Sequence, residues 1–175
     1  VFINGQPAEQ PEHLQFMYRV TYPSGNLNTS NFADWGISSE DRVDQGNNVM
    51  ILILSDEQKA RIQSMDPNIL IEPVEIGEMQ KNPEKTFPHD PHHSPDWTVD
   101  NFGPLYIPQK GATVQLRPEN IALYRRIIDT YEENDFTERN GQFIINGQPA
   151  TEYTFQQDYY WMMGDNRHNS EDARI

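Results

Sequence analysis

Val49-Met50-Ile51-Leu52-Ile53-Leu54 is the longest apolar run in the chain, and Ser55-Asp56-Glu57-Gln58 follows it directly. Six unbroken apolar residues are the length of a strand, and the lack of alternation predicts a strand covered on both faces. Ser55 then offers a hydroxyl to cap a helix. Gln58, three residues on, can reach back to complete a capping box. The helix is expected over residues 55–65, and Pro67-Asn68 stops it. Working outward, residues 16–22 alternate as a half-buried strand does, and Pro23-Ser24-Gly25-Asn26 turns it. Residues 31–37 read as a short helix, and residues 69–76 as a further strand. Strand, helix, strand, helix, strand defines a compact α+β module over residues 15–77.

Composition bounds what surrounds that module. The chain has 175 residues, with 13 Lys plus Arg against 27 Asp plus Glu, a formal net charge of −14. That sign argues against nucleic acid, which demands clustered cations, and against docking of a basic surface on anionic lipid. Hydrophobic residues make up only 35%, but 8 Phe, 8 Tyr and 3 Trp supply large buried areas, so a core flanked by extended loops is expected. No cysteine is present, which removes disulfides and thiolate metal sites from consideration. No apolar run approaches the ~18 residues of a membrane helix. The chain starts in what reads as mid-strand, as an excised piece of a longer protein would.

The two ends share a phrase. Ile3-Asn4-Gly5-Gln6-Pro7-Ala8 returns as Ile145-Asn146-Gly147-Gln148-Pro149-Ala150. Asn-Gly between apolar residues signals a tight hairpin, because both residues accept positive φ. A hairpin is therefore expected to recur at each end, in residues 1–14 and 135–175, with something inserted between them. Residues 78–104, interrupted by Pro83, Pro88, Pro91, Pro95 and Pro104, read as an irregular linker anchored by Trp97 and Phe102. Residues 105–134 supply a strand–helix segment whose apolar stripe is Ile121, Tyr124, Ile128 and Tyr131. The run Tyr159-Tyr160-Trp161-Met162-Met163 reads as an aromatic core strand entering a polar turn.

That turn is Gly164-Asp165-Asn166-Arg167-His168-Asn169-Ser170-Glu171-Asp172-Ala173-Arg174. It resembles the last signature of bacterial signal peptidase I: Gly-Asp-Asn-Arg, two residues, Ser, one residue, Asp, one residue, Arg. All seven fixed positions match. Ala173 stands where many members carry Ser. The stretch from Asp100-Asn101-Phe102-Gly103-Pro104 to Lys110-Gly111 is similar to members with a large insertion, of the Bacteroidetes type.

The resemblance implies an α+β fold with a signal-peptidase β core at both ends. It implies a membrane-anchored serine endopeptidase on the extracytoplasmic, periplasmic face of the inner membrane. Its partners would be signal-peptide-bearing preproteins, with no nucleic acid and no metal or organic cofactor. The family attacks the peptide bond with a Ser and uses a neutral Lys as general base; desolvation must lower the lysine pKa, because an ammonium ion has no lone pair. By this resemblance Ser170 would orient the base lysine, while Asp165, Asp172 and Arg174 would form a charge-paired scaffold. The nucleophile and base are expected upstream of Val1, together with the anchor, so the 175-residue chain is expected to be inert alone. The alternative from a different class is a secreted or periplasmic binding module that carries the same turn.

Two other clusters carry weaker signals. Ser64-Met65-Asp66-Pro67 imitates the family's Ser-Met-x-Pro, but a polar helix precedes it and it lies after the first hairpin. None of Lys59, Lys81, Lys85 and Lys110 belongs to the Lys-Arg pair that marks the base. His89-Asp90-Pro91-His92-His93 holds metal-ligand residue types, yet two kinds of support are missing there: regular structure to aim them and further groups to orient them. A solvated loop is the expected state. His168, at a variable position of the signature, is expected to face solvent, as is Arg125-Arg126.

Overall fold

The computed structural model describes residues 1–23, 27–75, 85–90, 92–93 and 96–175. It is mixed, with several antiparallel sheets and two short helices. The chain divides into two compact units, one of Val1–Ile76 with Met163–Glu171 and one of Gly77–Met162 with Asp172–Ile175. Most of the polar turn, within Met163–Glu171, thus falls in the first unit.

The first unit is built on a four-stranded antiparallel sheet. Its strands are β3 (Phe16–Thr21), β4 (Arg42–Gly46), β5 (Val49–Leu54) and β6 (Leu70–Pro73), in the spatial order β4-β5-β3-β6. The apolar run is central, as its composition demands. Met50, Leu52 and Leu54 point into the core, and Ile53 is buried on the other face. Val49 and Ile51 stay half-exposed, so the second face is covered only at its far end, not throughout. Ahead of β3, β1 (Phe2–Ile3) and β2 (Gln6–Pro7) form a two-stranded ribbon turned by Asn4 (φ 52°) and Gly5 (φ 76°).

Helix α1 (Asp56–Gln63) starts where the capping box places it. The Gln58 N–H donates to Ser55 Oγ at 3.3 Å, and the Ser55 N–H donates to Gln58 Oε1 at 2.8 Å. Such reciprocal caps are worth about 1 kcal/mol each way, because they satisfy donors the helix cannot. Buried Gln58 also donates from Nε2 to the Trp35 carbonyl at 2.9 Å, tying the helix start to the preceding loop. Ile62 is the helix's fully buried contribution to a core of Val20, Phe32, Ile37, Met50, Leu52, Leu54 and Ile69.

Residues 31–37 are a turn and not the short helix expected. The Ile37 N–H reaches back to the Phe32 carbonyl (2.8 Å) and the Gly36 N–H to that of Ala33 (3.0 Å), with Gly36 at φ 74°. This is the Schellman pattern that ends a helix, applied to a single turn, and it brings apolar Phe32 and Ile37 together in the core. The stop signal arrives before a helix can propagate. Strand β4 had no expectation. It is a polar edge strand with a bulge between Asp44 and Gly46, and edges are kept polar and irregular to block further pairing. Residues 24–26 of the expected turn and Ile76 of the expected strand lie outside the described residues.

The second unit packs two small antiparallel sheets on a helix. Strands β8 (Phe136–Arg139), β9 (Gln142–Ile145) and β10 (Gln148–Pro149) form one sheet; β7 (Thr113–Gln115) and β11 (Glu152–Thr154) form the other. Helix α2 (Ile121–Arg126) continues as a π-helical turn over Ile127–Tyr131. That turn corrects the expected stripe. Tyr124 and Ile128 are buried, but Tyr131 is 50% exposed. One extra residue in the turn moves later positions about 100° round the axis. Leu116, Tyr124, Ile128, Phe136, Phe143, Tyr153 and Phe155 form the core.

Residues 159–163 are not the core strand expected. They pair with no strand among the described residues, and Tyr160 (80%) and Met162 (70%) are exposed. Within the linker, Trp97 and Phe102 do anchor the loop: their rings lie 4.5 Å apart, and Phe102 stacks on Trp161 at 5.0 Å. Residues 78–84, 91, 94 and 95 of that linker lie outside the described residues.

Candidate functional site

The signature divides between the units, and each part has its own packing. In the first unit the Asp165-Asn166-Arg167-His168 segment runs alongside the start of β3. The Gln15 N–H donates to the Asp165 carbonyl, and the Arg167 N–H to the Gln15 carbonyl, both at 2.9 Å. These bonds form a parallel bridge between Gln15 and Asn166. The Asn166 amide Nδ2 reaches Asp41 at 3.4 Å, and Arg167 is buried with Nη1 3.1 Å from Met163 Sδ.

Two residues in this loop have roles set by tertiary structure alone. Gly164 has an ordinary negative φ, so conformation does not require glycine there; space does. A Cβ at position 164 would overlap both Oγ and Cβ of Ser170. The Ser170 side chain thus lies directly on the Gly164 backbone, which explains physically why Gly and Ser occupy those two positions. His168 corrects the expectation of a solvent-facing side chain. Its Nδ1 accepts the Met17 N–H at 2.9 Å, and its ring meets Phe16 edge-on at 5.8 Å. A partner 151 positions away leaves no trace in local sequence.

In the second unit, Asp172 and Arg174 form a two-pronged ion pair. Arg174 Nε donates to Asp172 Oδ1 at 2.8 Å, and Nη2 to Oδ2 at 2.7 Å. Both side chains are sequestered, 7% and 5% exposed. Arg174 Nη1 also donates to the Val99 carbonyl at 3.0 Å, and the Arg174 carbonyl accepts the Phe87 N–H at 2.9 Å. The Asp172–Arg174 pairing implied by the resemblance therefore exists. Asp165 does not join it: its side chain is exposed, with no hydrogen bond or ion pair among the described residues, and only its backbone carbonyl is engaged.

The remaining candidates have structural occupations. Ser64 is the C-cap of α1, and its hydroxyl donates to the Arg61 carbonyl at 2.6 Å, a helix-end bond of no nucleophilic use. His89 packs edge-on against Phe87, and His93 against Trp97. Among the described residues no three His, Cys, Asp or Glu side chains gather as a metal site would need. Arg125 and Arg126 are exposed and lie over the Phe136 and Tyr131 rings. A cleft of about 190 Å³ in the first unit is lined by His13, Gln15, Asp34, Trp35, Ser55, Glu57, Gln58 and Arg61. Ser55 is committed to the helix cap there, and Arg61 to Glu57 at 2.6 Å.

A second polar cluster was invisible in the sequence. The Glu132 carboxylate, just past the π-helical turn, accepts from the Tyr153 hydroxyl, the Tyr159 hydroxyl (2.9 Å) and the N–H groups of Gln156 (2.9 Å) and Gln157 (3.2 Å). Asn134 Nδ2 donates to the Tyr153 oxygen at 2.8 Å. Burial, reinforced by bonding to a negative acceptor, pushes the Tyr153 phenol up to about 12 and raises that of Tyr159 as well. Both groups hold their protons more tightly when folded. Their contribution is complete below the ordinary phenol value of about 10 and is lost as pH rises through about 12. Alkaline titration followed at 295 nm should therefore show late-ionising tyrosines whose absorbance change coincides with loss of circular dichroism. Tyr153→Phe should weaken that coincidence; eight tyrosines titrating together near pH 10 in a folded protein would contradict it.

Comparison with protein-family models, with curated proteins and with solved structures returned no match.

Proposed function

We propose that the chain is the extracytoplasmic part of a signal peptidase I, a serine endopeptidase that removes signal peptides from exported preproteins. Support comes from one observation above the rest: Gly164, Asp165, Asn166, Arg167, Ser170, Asp172 and Arg174 all stand at the spacing of that family's signature. Four of the seven also pack on one another in pairs, Gly164 under Ser170 and Asp172 on Arg174. A catalytic site needs its supporting groups held rigidly, and a buried fork of two charge-assisted hydrogen bonds is a rigid support.

In this reading Ser170 orients the neutral lysine base, and the Asp172–Arg174 pair fixes the chain just after it. The attacking serine, the lysine and a membrane anchor come from residues outside this sequence. Substrate lies as an extended strand with small side chains near the scissile bond. Among the described residues no helix is long and apolar enough to cross a membrane.

Incubating the purified chain with a signal-peptide-bearing preprotein should give no cleavage, whereas the protein from the full reading frame should cleave it. Ser64→Ala should leave the full protein's rate unchanged. Cleavage by the 175-residue chain that Ser64→Ala abolishes would overturn the assignment of the nucleophile. A full reading frame without Ser-Met-x-Pro and Lys-Arg ahead of Val1 would overturn the enzyme reading.

A further inference from the structure

Ile3–Ala8 and Ile145–Ala150 are the same six residues, and both fold as hairpins with the same turn. Asn4 and Gly5 have φ 52° and 76°; Asn146 and Gly147 have φ 51° and 77°. Both asparagines are exposed, and no atom lies within 4 Å of where a Cβ would stand on either glycine. An asparagine followed by glycine is open to attack by the next backbone nitrogen, because glycine has no side chain to obstruct it. With identical neighbours, the two sites would react alike in an unfolded chain. Their partners in the folded chain differ. Asn146 is held at three points: its N–H donates to the Asp135 carbonyl at 2.8 Å, its Oδ1 accepts the Asp135 N–H at 2.9 Å, and its Nδ2 donates to Asn134 Oδ1 at 2.8 Å. Asn4 has no side-chain hydrogen bond among the described residues, and its turn closes a ribbon of two residues a side. We propose that Asn4 is a site of spontaneous deamidation in the folded protein, and that Asn134 and Asp135 protect Asn146 from the same reaction.

The Gly5 nitrogen gives its proton to a solvent base and attacks Asn4 Cγ. The N–Cγ bond forms, the Cγ–Nδ2 bond breaks, and Nδ2 leaves as ammonia. Water then opens the five-membered imide at one carbonyl or the other, leaving aspartate or isoaspartate. One water is consumed and one ammonia released, so the step needs no oxidant, reductant or cofactor. Ring closure requires the nitrogen to be brought onto Cγ, and the tight turn must open first. At Asn4 that opening disturbs only the short β1–β2 ribbon. At Asn146 it also breaks the bonds to Asn134 and Asp135, and β9 is paired along its length with β8. Asn140-Gly141 is a third such dipeptide, exposed, with a turn closed by four paired residues a side. Its rate should therefore fall between the other two.

Incubating the purified 175-residue chain at mildly alkaline pH, followed by peptide mapping with fragment masses that localise each product, tests this independently of any protease activity. Product should accumulate at Asn4 about tenfold faster than at Asn146, the effect of two ordinary side-chain hydrogen bonds and a longer pairing that must open first. Isoaspartate should appear beside aspartate, as the imide route requires. In guanidinium chloride the rates at Asn4 and Asn146 should converge, because the folded partners are gone and the six residues are the same. Asn4 reacting no faster than Asn146 or Asn140 in the folded chain would overturn the proposal. So would aspartate as the sole product, or a gap between Asn4 and Asn146 that persists undiminished in denaturant. Failure of the signal-peptidase reading would leave these results unchanged.

Discussion

Asp172→Ala is expected to destabilise the protein by about 3–5 kcal/mol, the cost of removing one partner of a buried ion pair. The side chains of Asp172 and Arg174 are 7% and 5% exposed, so water cannot take the place of the lost carboxylate. The guanidinium would keep the Val99 carbonyl but lose both bonds of the Asp172 fork. For a chain of this size, each kcal/mol moves the melting temperature by about 2–4 °C, so a drop of roughly 10 °C is anticipated. Arg174→Lys keeps the charge but loses the fork and should fall between wild type and Asp172→Ala. The double variant Asp172→Ala with Arg174→Met should recover stability relative to Asp172→Ala, because the buried charge that lost the Asp172 carboxylate is gone. Calorimetry on the four proteins decides the matter. A melting temperature for Asp172→Ala within a degree or two of wild type would refute the buried pair. In the full-length enzyme proposed above, Asp172→Ala should also depress turnover.

Gly164→Ala is expected to cost about 3 kcal/mol, at the upper end for overpacking. The added methyl would overlap Oγ and Cβ of Ser170, and the short serine side chain has no flexible far end to swing away. One of the two backbone segments must move, and both belong to a loop tied to β3. The decisive comparison is rescue. Ser170→Gly removes the atoms that the methyl strikes, so Gly164→Ala with Ser170→Gly should be more stable than Gly164→Ala alone. Because Gly164 has a negative φ, conformational strain predicts no rescue, and urea unfolding of the single and double variants separates the two causes. Equal stability of wild type and Gly164→Ala would refute the close approach.

Legibility followed the range of each interaction. The capping box at Ser55 and Gln58 was readable because both of its bonds close within three residues. The Asn-Gly turns at 4–5 and 146–147 were readable because positive φ is a property of the residues themselves. Burial of those same hairpins was not. Phe143 of the second copy is 5% exposed, while Val1, at the matching place in the first, is 62% exposed. Strand β9 has β8 on its outer edge and a helix-backed core beneath, and β1 pairs with β2 alone among the described residues. The π-helical turn that displaces Tyr131 is likewise absent from a pattern read at 3.6 residues per turn.

The candidate site divides the same way. Which residues stand at the signature spacing, and the passage from the apolar strand Val49–Leu54 into helix α1, were determined by the sequence alone, since spacing, capping and turn chemistry act between near neighbours. Tertiary structure decided that His168 bonds Met17, that Glu132 gathers two phenols, and that Asp172 and Arg174 lose their water together. The reason is physical: burial and the partner of a polar group are set by whatever chain arrives from far along the sequence, and no local pattern records who arrives.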